Sequence, residues 1–135
     1  MEGLIMKIKL YGSSTASTRK ARRWFEEQEI DFEYRDIIRK PLKKKEMQSI
    51  LRLTEEGTKD IIATRSNVYK ELEIDFESLS MNELYVLLNE HPRLLRQPII
   101  VGGNKLQVGF DEYNIRQFIS REERKRFLDD SLAFV

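Results

Sequence analysis

The chain has 135 residues, 40% hydrophobic and 35% charged, which is enough for one domain with a core of its own. Lys plus Arg is 24 against 23 Asp plus Glu, a net charge of +1, so bulk charge gives no reason to expect nucleic-acid binding. There is no cysteine, which excludes disulfides and thiol catalysis. No run approaches the ~18 apolar residues of a membrane span, and no basic start with a long apolar stretch marks a secretory signal; the expectation is a cytoplasmic protein with no membrane partner.

Met6, Ile8 and Leu10 alternate with Lys7, Lys9 and Tyr11, the period of two of a strand with one buried face. A polar turn from Gly12 to Ser17 stops it. Ala21, Trp24, Phe25 and Gln28 follow at helical spacing and predict an amphipathic helix over residues 18–29. Thr15, Ser17 and Thr18 are all candidates for its N-cap. Phe32, Tyr34 and Asp36 alternate with Glu33, Arg35 and Ile37 as a second strand, and so short a strand-helix-strand unit implies a parallel pair.

Arg35, Arg39, Lys40, Lys43, Lys44 and Lys45 form a basic run. Such a run reads either as a solvated face or as a surface for a phosphate backbone or acidic partner. Pro41 precedes a helix striped by Met47, Ile50 and Leu51, with Gly57 as its expected C-cap. Ile61, Ile62, Val68, Tyr69 and Leu72 support one or two short helices. Ser80-Met81-Asn82-Glu83 has the spacing of a capping box, and its helix runs to His91-Pro92. Residues 98–101 read as a strand, Gly102-Gly103-Asn104 as a hairpin turn and residues 105–109 as the returning strand. Asp111 is placed to cap a helix with Ile115, Phe118 and Ile119, and Ser120-Arg121-Glu122-Glu123 offers another capping box. The only histidine, His91, ends a helix and reads as structural.

The strings Thr18-Arg19-Lys20-Ala21-Arg22, Ile50-Leu51-Arg52-Leu53-Thr54-Glu55-Glu56-Gly57-Thr58, Thr64-Arg65-Ser66, Asn89-Glu90-His91-Pro92, residues 94–100 (LLRQPII) and Leu106-Gln107-Val108-Gly109 stand in this order along the chain. In that order and spacing the chain resembles the arsenate-reductase-like (ArsC) family of thioredoxin-fold proteins, and more closely its Spx branch of transcriptional regulators. The resemblance spans nearly the whole chain. It implies an α/β thioredoxin-like mixed sheet in a single domain, residues 1–135. Residues 5–42 and 96–120 would form the thioredoxin-like part, and residues 43–95 a central helical insertion.

The resemblance also implies function. Spx-like proteins bind the C-terminal domain of the RNA polymerase α subunit and meet promoter DNA only within the polymerase complex. The turn glycine used against polymerase falls on Gly57 and its upstream arginine on Arg52, with Thr54 and Glu55 between them. Glycine there permits positive φ and close approach of a partner. Arg65 matches a basic residue near DNA; its other reading is a surface ion pair. Two positions on, where relatives often carry lysine, this chain has Asn67. The family's Cys-x-x-Cys pair falls on Thr15 and Thr18. The arginine that usually precedes the strand proline is Gln97, and Pro98 would be the family's cis-proline. The switch thus loses its thiols and the neighbouring guanidinium together, leaving a degenerate redox site. No cofactor is expected. The apolar tail Leu132-Ala133-Phe134-Val135 would act as a signal for the ClpXP protease, or else pack on the sheet. The alternative function is an arsenate-reductase-like enzyme or an oxyanion-binding relative.

Overall fold

The computed structural model describes residues 7–120. Strands β1 (Ile8–Gly12), β2 (Glu33–Asp36), β3 (Ile99–Gly102) and β4 (Lys105–Val108) form one sheet in the order β2-β1-β3-β4. β1 and β2 are parallel, and the other pairs are antiparallel. The parallel pair is joined by α1 (Ala16–Glu27), as the short strand-helix-strand pattern predicts. The tight β3–β4 turn centres on Gly103, whose φ of +60° suits glycine.

One face of the sheet is covered by α1 and a 3₁₀ helix, Asn114–Phe118. Ile8, Leu10 and Ile100 meet Ala21, Phe25, Ile115 and Phe118 there. The Phe25 and Phe118 rings meet edge to face at 6.0 Å, a favoured arrangement of ring quadrupoles. The helices α2 (Lys44–Arg52), α3 (Thr58–Ile61), α4 (Asn67–Leu72) and α5 (Met81–Glu90) supply the other core. In it Tyr11 and Ile99 pack with Met47, Ile50, Ile61, Leu84 and Leu88.

Tyr11 therefore departs from the alternation expected of β1: it is 4% exposed. Both faces of the sheet are covered, so an outward position on the strand is another inward one. Its hydroxyl donates to Glu46 Oε2 at 3.3 Å, and Arg35 Nη2 donates to the same oxygen at 2.5 Å. The Lys43 amide donates to Glu46 Oε1 at 2.8 Å. One carboxylate thus ties β1, β2 and α2 together. This also engages Arg35 within the fold, so the basic run is not a uniform solvated face; Lys44 Nζ likewise bonds Asn82.

The cluster gives a pH prediction. Burial raises the Glu46 carboxyl, but the Lys43 amide, Arg35 and Tyr11 outweigh it and hold its pKa below the ordinary 4.5. Burial first, then the Glu46 charge, pushes Tyr11 from 10.0 up to about 12. A depressed carboxyl contributes stability above its unfolded pKa, lost as pH falls through the folded one. A raised phenol contributes stability below its unfolded pKa, lost as pH rises through the folded one. Urea titrations should therefore show stability falling below about pH 4.5 and again between about pH 10 and 12. Tyr11→Phe should shrink the alkaline fall, leaving the part due to Tyr34, whose phenol is also raised by burial, and Glu46→Gln should flatten the acid one.

α5 begins as its capping box requires: Glu83 N donates to Ser80 Oγ at 3.1 Å and Ser80 N to Glu83 Oε1 at 2.9 Å. His91 closes the helix, its amide donating to Leu87 O at 2.9 Å. Two expectations are corrected. Asp111 accepts from the amides of Tyr113 and Asn114, an Asx turn that leads into the five-residue 3₁₀ helix and not an α-helix. Gly57 does not cap α2. That helix ends at Leu53, where Thr54 Oγ1 donates to Leu51 O at 2.6 Å and satisfies a terminal carbonyl. Residues 121–123 of the capping box expected at Ser120, and the apolar tail, lie outside the described residues.

Candidate functional site

β1 ends at Gly12, where the chain turns into α1. Thr15 is the N-cap: its Oγ1 accepts from Thr18 N at 3.1 Å and donates to Thr18 Oγ1 at 2.8 Å. Thr18 is 1% exposed. A Cβ on Gly12 would stand 2.6 Å from Thr18 Oγ1 and 2.9 Å from its Cγ2, so this glycine is required by close approach and not by its φ. The two threonines thus face each other at the helix start, and of the three N-cap candidates Thr15 is the one used. Their hydroxyls do not ionise near neutral pH, and they lack the redox chemistry of thiols.

Gln97 holds this loop from across the fold. Its Oε1 accepts from Ser13 N at 2.7 Å and from Ser13 Oγ at 2.6 Å. The Gln97–Pro98 peptide is cis. Pro98 is buried and its carbonyl accepts from Gly109 N at 2.7 Å. A neutral amide thus fastens the loop. Ser13 was not singled out by sequence, because the partner that gives it meaning is Gln97, 84 positions away.

A groove beside this loop is lined by Ser13, Thr15, Ser17, Arg93, Arg96 and Gln97. A second groove shares Ser17, Arg96 and Gln97 and adds Lys59, Thr64 and Arg65. Arg65 is thus brought near the loop that leads into α1, in company with two other cations, Lys59 and Arg96. Arg96 bridges the regions: its backbone amide donates to Ile61 O at 2.8 Å and its Nη1 to Asp60 O at 3.3 Å.

Residues 53–57 form the turn between α2 and α3. Gly57 has φ +79° and ψ −138°, and an added Cβ would meet nothing within 4 Å. The glycine is therefore required by its backbone and faces open space. Its amide donates to Thr54 Oγ1 at 3.0 Å, and Asp60 Oδ2 accepts from the amides of Glu55 and Glu56, both at 3.0 Å. Arg52, Glu55 and Glu56 are exposed. Sequence reasoning named Arg52, Thr54, Glu55 and Gly57 but missed Asp60, which holds the turn from inside. The aspartate four and five residues after the two amides was the available signal. Next to the turn, residues 60–63 and 94–97 are joined by a bridge between Ile62 and Leu95.

A mixed sheet with a helix leaving its first strand through a capped loop, opposite a cis-proline, defines a thioredoxin-like α/β protein. The model of the ArsC family matches residues 11–118. The chain is 50% identical over 118 residues to the global transcriptional regulator Spx of Bacillus subtilis, covering 87% of this chain and 90% of that one. It is 47% identical over 120 residues to the global transcriptional regulator Spx 2 of Oceanobacillus iheyensis, covering 89% of each. Among solved structures, SACOL0876 from Staphylococcus aureus is similar with a TM-score of 0.69 at 26% identity, over 82% of this chain and 96% of that one. The arsenate reductase from Vibrio cholerae has a TM-score of 0.65 at 22% identity, over 83% and 94%, a likeness of fold. The chain belongs to the ArsC family, in its Spx branch.

Proposed function

We propose that this protein is a transcriptional regulator that binds the C-terminal domain of the RNA polymerase α subunit through the turn at Arg52, Thr54, Glu55 and Gly57, without a thiol switch. The observation that carries the proposal is the near 50% identity, along almost the whole chain, to relatives named as global transcriptional regulators. The turn supports it physically: an open glycine in a backbone conformation closed to other residues, flanked by exposed charges. Arg65, Lys59 and Arg96 share one groove, a cationic surface suited to promoter phosphates once polymerase has brought them near. The tail from Leu132 to Val135 is proposed as the ClpXP signal. The site of action is the cytoplasm, where polymerase works.

The test is a pull-down of the purified α C-terminal domain. Retention by the wild-type chain is expected and its absence overturns the reading. An arsenate-reductase role needs a nucleophile. Here Thr15 and Thr18 hydrogen-bond to each other, and no cysteine exists. Arsenate-dependent turnover with glutaredoxin or thioredoxin as reductant is expected to stay at background; robust turnover would overturn the regulator reading. Among the described residues no helix is long and apolar enough to cross a membrane.

A further inference from the structure

We propose that Asp60 is the positioning residue of the partner-facing turn: its carboxylate holds the loop so that Arg52, Glu55 and the bare face of Gly57 are presented in one geometry. The inference rests on the reading of this turn as the polymerase-binding surface. Three successive amides are engaged from inside the loop. Those of Glu55 and Glu56 donate to Asp60 Oδ2, and that of Gly57 to Thr54 Oγ1. The Asp60 amide closes the loop by donating to Gly57 O at 3.0 Å. The other end of Asp60 is fixed by the fold, since Arg96 Nη1 donates to its carbonyl and Arg96 N to the carbonyl of Ile61. Asp60 thus transfers the rigidity of the β3 approach to a turn that has no core of its own.

Two consequences follow. The amides at 55, 56 and 57 are committed within the turn, so a partner recognises side chains and the glycine face. The carboxylate bonds are charge-assisted and two amides share one oxygen, a strong and specific restraint. Without it, Glu55 and Glu56 amides turn to water at little cost to the folded core. The loop then samples several shapes and must be ordered when the partner binds.

Calorimetric titration with the α C-terminal domain, paired with amide hydrogen exchange of the free proteins, tests this. Asp60→Ala should bind about tenfold more weakly, the cost of ordering a loop on binding, with its melting temperature close to wild type. Asp60→Asn, which keeps an acceptor oxygen, should bind within about twofold of wild type. In Asp60→Ala the Glu55 and Glu56 amides should exchange at least about tenfold faster while those of α5 do not change. If Asp60→Ala does not fold, Asp60→Leu, close to aspartate in size and without an acceptor, replaces it, and the same weakening and faster exchange are expected. Wild-type affinity in the alanine variant overturns the proposal. So does an equal loss in Ala and Asn variants with unchanged exchange, because the carboxylate then touches the partner itself. If the wild-type chain does not bind the domain, the polymerase reading fails. Exchange alone then judges Asp60: faster exchange at 55 and 56 supports its hold on the turn, and unchanged rates overturn it.

Discussion

Gly57→Arg is expected to weaken binding to the polymerase α C-terminal domain by about a hundredfold or more, the scale of a central interface residue. Two effects contribute. The backbone at φ +79°, ψ −138° is one that only glycine adopts readily, and forcing a side chain there costs on the order of 1–3 kcal/mol. The arginine then projects into space that nothing in this chain occupies, which on the proposed reading is where the partner sits. Gly57→Ala separates the two. It carries the same backbone strain but adds only a methyl group, so it should bind with intermediate affinity. Equal losses in both variants would assign the effect to strain alone. Wild-type affinity in both would remove the turn from the interface.

Gly12→Ala is expected to destabilise the fold by about 1–3 kcal/mol, the usual cost of overpacking a filled site. The new methyl would lie 2.6 Å from Thr18 Oγ1, and Thr18 is 1% exposed with no room to swing outward. Thr18→Ala alone should cost about 1 kcal/mol through its lost hydroxyl bond to Thr15. It also opens the space that Gly12→Ala needs. The double variant should therefore be more stable than the sum of the singles by at least about 0.5 kcal/mol. Denaturant unfolding of the four proteins measures this; strict additivity would contradict the packing described. The result bears on the site, because it shows position 18 held by shape and a hydroxyl bond.

Much of this arrangement was legible in the sequence because the signals are local. The alternation of Ile8 and Leu10, the stripe of α1 and the Ser80 box each involve residues within a few positions. The N-cap of α1 was narrowed to Thr15, Ser17 and Thr18 for the same reason, and the folded loop selects Thr15. Tyr11 was not, since alternation reports one covered face and is silent about a second face covered by residues such as Met47 and Leu84. Ser13 draws its role from Gln97 at the far end of the chain. The ends of α2 were misjudged because glycine is a common C-cap, whereas here Thr54 serves the carbonyl and releases Gly57 to begin α3. Asp60 was hidden in plain composition: an aspartate near a helix start has many uses, and only the folded turn shows that it accepts two amides.

The most direct test is an affinity measurement between this chain and the isolated α C-terminal domain, made once with reductant and once with a thiol oxidant. With no cysteine in the regulator, the same dissociation constant is expected in both. No binding in either condition, or binding that appears only on oxidation, would contradict the account.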